Sequence, residues 1–193
     1  MKKYVLLAGV NGAGKTTLYQ SLQSLRGMPR VNVDEILREF GNWRNTADVM
    51  TAGKIAVKMI ARYFEEDITF NQETTLCGQS ILKNVKRAKE KGYFIELHYI
   101  GVDTVEIAKK RVLERIRLGG HGVSEKDIER RYIETFRNLK IVLPDSDLAA
   151  LYDNTSEFRR FAIYKNGTPE RISQNVPIWY KRFMDDVCRE MRN

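Results

Sequence analysis

Long apolar runs are missing from this 193-residue sequence. The longest fall far short of the roughly 20 residues that a membrane-spanning helix needs, so no such span is expected. Cysteine is nearly absent: Cys77 and Cys188 lie far apart and without metal-ligand spacing, which reads as two reduced thiols rather than a disulfide framework or a zinc site. Met1-Lys2-Lys3 runs into an apolar strand rather than a signal peptide, and the expected location is cytoplasmic. Repeats, low-complexity tracts and linkers are lacking too. Residues 1–193 therefore read as one domain, with 42% hydrophobic residues to build a core. Acid is in deficit, leaving a formal charge of +8, which points to polyanionic partners. Residues 109–131 carry eight Lys/Arg against four Asp/Glu, so half of that excess sits in one short segment. The segment lacks the interleaved aromatics of a single-strand binder. That favours a clamp on a small phosphorylated ligand and makes nucleic acid an unlikely partner.

What the chain does contain is Gly9-Val10-Asn11-Gly12-Ala13-Gly14-Lys15-Thr16-Thr17, placed after the apolar run Tyr4–Ala8 and before an amphipathic segment, Thr17–Leu25. This is the spacing G-x-x-x-x-G-K-[ST] at a strand-to-helix turn. The glycines let backbone N–H groups point inward as an anion nest at the positive end of a helix. Lys15 can reach β- and γ-phosphates, and the Thr16 hydroxyl is placed for Mg²⁺. Residues 11–17 are thus the expected binding loop for ATP or GTP.

Periodicity supplies the rest of the frame. Strands are expected at Tyr4–Ala8, Arg30–Val33, Ile68–Gln72, Tyr93–Ile100 and Phe158–Tyr164, the last followed by an Asn166-Gly167 hairpin turn. Helices are expected after the phosphate loop as far as about Gly27, at Glu35–Phe40, Ala47–Glu66 and Gln79–Lys91, from an Asp103/Glu106 cap to Leu118, from Ser124 through Leu139, and, as a short one, at Asp147–Tyr152. Pro177 opens a final helix with Trp179, Phe183, Val187 and Met191 as its apolar stripe. The order implies an α/β fold, a P-loop NTPase of nucleotide-kinase type. It has a mostly parallel five-stranded sheet, helices on both faces and a helical lid at about 115–131. Gly9, Asp34 and Glu73 each follow one of the first three strands, so they converge on one crevice at the strands' carboxyl ends.

Taken together, Asn32-Val33-Asp34, Glu73-Thr74-Thr75-Leu76, Arg115-Ile116-Arg117 and Arg130-Arg131-Tyr132 resemble the zeta-toxin-like P-loop kinases, in particular a small branch labelled as predicted ATPases. The resemblance runs from the first strand to about Asn154. It implies phosphoryl transfer from ATP or GTP to a hydroxyl of a small molecule. Asp34 then takes the acceptor proton, Glu73 is the acid at the end of the third strand, the arginines form the lid, and an antitoxin-like protein partner is implied. Toxins of the family phosphorylate UDP-N-acetylglucosamine. They tend to follow the acid with glycine and then arginine, whereas Thr74 and Cys77 stand here, so the resemblance does not carry that acceptor over.

The chemistry supports the same roles. Phosphoryl transfer needs alignment, Mg²⁺ and cations more than covalent chemistry. Lys15, Arg115, Arg117, Arg130 and Arg131 supply charge, with the arginines flanking a Gly119-Gly120/Gly122 hinge. Asp34 is the candidate base; its bland alternative is a helix cap. Glu73 is a candidate for the metal, through water, or for the acceptor, and Thr75 lines the acceptor side. His121 can touch phosphate or hold the lid turn, and Asp153-Asn154 can edge a nucleobase or form an ordinary turn. Two other activities fit the loop: a nucleotide switch without an acceptor, and a polynucleotide 5′-hydroxyl kinase motivated by the charge. Leu76-Cys77-Gly78-Gln79 superficially echoes the signature of a transporter-type ATPase, but the strand Phe94–Ile100 lacks the Asp-Glu pair such an ATPase needs, which argues against that reading.

Overall fold

The computed structural model describes residues 1–190. Strand β1 (Lys3–Ala8) lies third in a seven-stranded sheet, with strands on both sides. Its apolar residues are buried on both faces: Tyr4 and Leu6 look to one side, Val5 and Leu7 to the other. That is the pattern of a parallel strand covered by helices above and below. After β1 come α1 (Lys15–Ser21), a 3-10 turn (Gln23–Leu25), β2 (Arg30–Val31), α2 (Val33–Phe40), α3 (Thr46–Glu65) and β3 (Phe70–Thr74). These are followed by α4 (Gln79–Glu90), β4 (Phe94–Gly101), α5 (Val105–Arg117), α6 (Glu125–Asp145), β5 (Leu148–Asp153), β6 (Arg159–Lys165), β7 (Thr168–Ile172) and α7 (Ile178–Glu190).

The strand order is β2-β3-β1-β4-β5-β6-β7. The first five are parallel, and β6 and β7 add on antiparallel. From β1 the chain crosses to the edge at β2, comes back to β3 beside β1, and then passes to the other side of β1 for β4 and β5. The crevice at the carboxyl end of β1, between β3 and β4, is the topological switch point where such sheets bind ligands.

One core, under α3, α4, α7 and the later part of α6, includes Phe64, Phe70, Leu97, Leu139 and Trp179. The other, under α1 and α5, includes Leu18, Ala108 and Val112. α3 fits the first core because Ala52, Ala56, Ile60 and Phe64 recur every four residues on its buried face. Its start is fixed by Asn45, whose side chain accepts from the Ala47 N–H. None of the helices among the described residues is long and apolar enough to cross a membrane.

Several expectations are corrected. The sheet has seven strands rather than five, because Leu148–Asp153 is a strand paired with β4, not a short helix, and because the hairpin contributes β7. Parallel pairing with a buried strand outweighs the Ala/Leu helix propensity of that stretch. β3 begins two residues later than expected, so Glu73 and Thr74 lie within it. The cap of α5 is Thr104, whose hydroxyl accepts from Ile107 N–H, and Asp103 instead accepts from the Trp179 backbone N–H. Asn166 and Gly167 both have positive φ, as the hairpin turn requires. Met191 lies outside the described residues.

Candidate active site

The phosphate loop forms where β1 ends. Gly9, Gly12 and Gly14 sit at φ of 143°, 79° and 103°. At Gly9 the reason is also spatial: a Cβ would stand 2.3 Å from the Ile100 carbonyl oxygen of β4. Lys15 begins α1 and is buried; its Nζ folds back to donate to the Gly9 and Val10 carbonyls at 2.8 and 3.2 Å. Burial pulls its pKa down, as do Arg115 and Arg131, while Glu73 and Asp34 hold it up. Thr16 and Thr17 are exposed on the first turn, and Asn11 is buried. Asn154, after β5, braces the loop by donating from Nδ2 to the Ala13 carbonyl at 2.9 Å.

A cavity of about 790 Å³ opens beside the loop, with Asn11, Lys15, Asp34, Glu73, Thr75 and Arg131 in its wall. Asp34 is on the first turn of α2, but the cap is Asn32, whose Oδ1 accepts from the Asp34 N–H at 2.9 Å. The Asp34 carboxylate is thus free for the cavity, where His121 Nε2 lies in contact with its Oδ2 without being aligned as a hydrogen bond. Burial raises the Asp34 pKa, but His121, Lys15 and Arg115 outweigh it and hold the carboxyl below its ordinary value.

Glu73 is held on one oxygen. Its Oε2 accepts from Arg30 Nη2 at 2.6 Å and from Asn32 Nδ2 at 3.2 Å. Arg30 also pairs with Glu35, donates to Asn71 and stacks on Tyr19 at 3.6 Å. It is a clamp that fixes β2 against β3, and nothing local in the sequence marks it.

The four arginines separate into two pairs. Arg131 on α6 donates from Nη1 to Asn11 Oδ1 at 2.9 Å, so α6 touches the phosphate loop. Arg115 on α5 is half-buried, with Nε and Nη2 lacking partners. Burial pulls it down from the ordinary arginine range against the pull of Asp34 and Glu73. Arg117 is exposed, and Arg130 is exposed and paired with Asp127 and Glu134. Arg111, one turn before Arg115, packs beside Gly12; its Nη1 is also buried without a partner, while Nη2 donates to the Thr155 carbonyl. Orphaned buried cations beside an anion nest are what a bound polyphosphate would satisfy, so the residues present fit a nucleotide.

Sequence reasoning missed Arg30 and Arg111, gave Asn32 no role beyond the Asn32-Val33-Asp34 signal, and missed Trp43, which lines the cavity from the α2–α3 loop. For Trp43 a signal existed: an aromatic in a polar loop, Gly41-Asn42-Trp43-Arg44-Asn45. Asp153 proves to be a buried brace, accepting from Thr155 and from Trp179 Nε1.

A phosphate loop at the switch point of a β2-β3-β1-β4-β5 sheet, beside an acid-lined cavity and under arginine-bearing helices, defines the P-loop kinase architecture. The sequence matches the Zeta toxin family over residues 1–168, and the chain belongs to that family, which makes it a nucleotide-binding P-loop phosphotransferase. An uncharacterised protein of Haemophilus influenzae is 32% identical over 130 residues, 67% of this chain and 92% of that one. Among solved structures, the complex of AvrRxo1-ORF1 with AvrRxo1-ORF2 and sulphate ions aligns at a TM-score of 0.74 and 16% identity, over 94% of this chain and 63% of that one. The PezAT toxin–antitoxin system of Streptococcus pneumoniae aligns at 0.62 and 16%, over 100% and 86%. At these identities the structural likenesses speak for the fold.

Proposed function

We propose that this protein transfers the γ-phosphoryl group of ATP or GTP to a hydroxyl of a small molecule held in the 790 Å³ cavity. The observation that carries the reading is that Lys15 and Asp34 face this one cavity. A triphosphate in the loop and an acceptor against Asp34 would then meet inside it. Asn11 and residues 12–17 hold the phosphates, drawing Lys15 Nζ off the Gly9 and Val10 carbonyls. Asp34 receives the acceptor proton as the acceptor oxygen bonds to phosphorus and the bond to the β-phosphate oxygen breaks. Arg115 and Arg131, in the lid at about 115–131, face the charge that develops on the transferred group. Glu73 and Thr75 line the acceptor side.

Thr16 and the free oxygen of Glu73 would hold Mg²⁺, which takes most of its other ligands from phosphate and water. When bound, it neutralises charge on the phosphates. The reading takes residues 1–193 as one cytoplasmic unit. It extends to an antitoxin-like protein partner, supported by the likeness in fold to the PezAT toxin–antitoxin system.

The test is a screen for phosphoryl transfer to sugars, nucleosides and nucleotide-sugars, with calorimetry of Mg·ATP and Mg·GTP. Lys15→Ala should abolish tight triphosphate binding in a folded protein. Asp34→Asn should keep binding and cut transfer by roughly 10²- to 10⁴-fold. Unchanged affinity in Lys15→Ala, or unchanged transfer in Asp34→Asn, would sink the reading.

A further inference from the structure

His121 has no part in the function proposed above, yet the turn that carries it is built to bring it into the cavity. Between α5 and α6 the chain runs Gly119-Gly120-His121-Gly122. The Gly119 N–H donates to the Ile116 carbonyl and the Gly120 N–H to the Arg115 carbonyl, closing the end of α5. A Cβ on Gly120 would stand 2.6 Å from Arg115 Cγ. On Gly122 it would stand 2.6 Å from both Trp43 Cη2 and Ile116 Cδ1. The turn is therefore packed tightly between its own helix and the α2–α3 loop, with no room for side chains on either side of His121. The imidazole is only 15% exposed, and its Nε2 lies against Asp34 Oδ2. Asp34 Oδ1 is the oxygen left to the acceptor.

We propose that His121 is a positioning residue. It holds Oδ2 of Asp34 so that Oδ1 is presented to the acceptor hydroxyl, and it does so from the turn that joins the two arginine-bearing helices. Arg115, whose carbonyl closes the turn, and Arg131, on the helix that leaves it, come into place with the same movement that orients the base. Base and phosphate cations are thus assembled together, and an open lid leaves Asp34 unoriented. This rests on the reading of Asp34 as the base.

The test uses slow Mg·ATP hydrolysis, with water standing in for the acceptor, and calorimetric Mg·ATP affinity. His121→Ala should lower kcat by about 10- to 100-fold, the cost of a misplaced reacting group, at nearly unchanged nucleotide affinity. His121→Gln, whose amide can reach the same oxygen, should recover most of the loss. In an Asp34→Asn background His121→Ala should cost nothing further, because no carboxylate remains to orient. Multiplying losses in the double variant, or full or faster turnover in His121→Ala, would overturn the proposal.

A second readout does not depend on turnover. The protein has two histidines, so His121→Gln identifies the His121 imidazole ¹⁵N signals, which should move in Asp34→Asn. Unmoved signals would mean that the pair does not form, and the proposal would fall with the phosphotransfer reading intact. Undiminished hydrolysis in Asp34→Asn with moved signals would instead remove Asp34 as the base, and with it both the reading and any role for His121 in serving it.

Discussion

Single side chains at this site differ less in type than in what else they touch. Arg131 lines the cavity and donates to Asn11 of the loop, while Arg115 keeps two buried nitrogens without partners. Arg117 and Arg130 face solvent. Arg115→Ala and Arg131→Ala should each lower turnover by roughly 10²-fold, the scale seen when a donor to developing charge is lost. Arg117→Ala and Arg130→Ala should stay near wild type, since Arg117 is exposed and Arg130 makes only exposed contacts with Asp127 and Glu134. Initial rates with saturating Mg·ATP decide it, and four equal losses would make the segment a diffuse basic field. The candidates Lys15 and Asp34 were legible because their meaning is local: a loop spacing and an acid just after a strand. Arg30 was not, because its role comes from Glu73 and Asn71 on a different strand. In the sequence it is only a charge before a two-residue strand.

Elements are held around the site by contacts made far along the chain. α7, beyond the matched residues 1–168, seats the Trp179 indole on Gly101 at the end of β4, where a Cβ would come within 2.3 Å of the ring. The same residue donates from its backbone to Asp103 and from Nε1 to Asp153. It thus staples the segment following β4 to the end of β5, which leads directly into Asn154 at the phosphate loop. Gly101→Ala should cost about 1–3 kcal/mol by overpacking. Trp179→Ala should cost about 3–5 kcal/mol by cavity formation. Denaturant unfolding measures both, and a neutral Gly101→Ala would show that the indole does not sit there. The same region shows where sequence reading stops. The Asn166-Gly167 turn was legible because its φ requirement is local. The strand Leu148–Asp153 was not, because its Ala/Leu composition favours helix and only the open edge of β4 decides otherwise. For the same reason, and because β7 was not expected, the strand count fell short while the mostly parallel character of the sheet was recovered.

Over the whole molecule, the site gathers charges that the protein alone does not satisfy. Lys15 and Arg115 are both pulled below their ordinary values chiefly by burial, and Arg111 and Arg115 hold buried nitrogens without partners. Asp34 and Glu96 are held below the usual carboxylate range, Asp34 because His121, Lys15 and Arg115 outweigh burial and Glu96 first by its hydrogen bond to His98. Their contribution to stability is therefore present above the unfolded carboxylate value of about 4 and is lost as pH falls through the lower folded values. For the cations the sign is reversed, since keeping them charged in the fold is a cost that a bound anion removes. Mg·ATP at 100 times its Kd should add about 2.7 kcal/mol, which for a chain of this length is roughly 5–10 °C in Tm. Arg115→Met keeps the length of the side chain and removes the unpartnered charge. It should leave the Tm of the free protein unchanged or raised, while shrinking the shift produced by the same concentration of Mg·ATP, as expected where a functional charge is kept at the expense of stability. Thermal unfolding of both proteins, with and without Mg·ATP, separates the two effects. A Tm several degrees lower in the free variant, with the nucleotide shift intact, would make Arg115 a structural residue and leave the developing charge to Arg131 and Lys15.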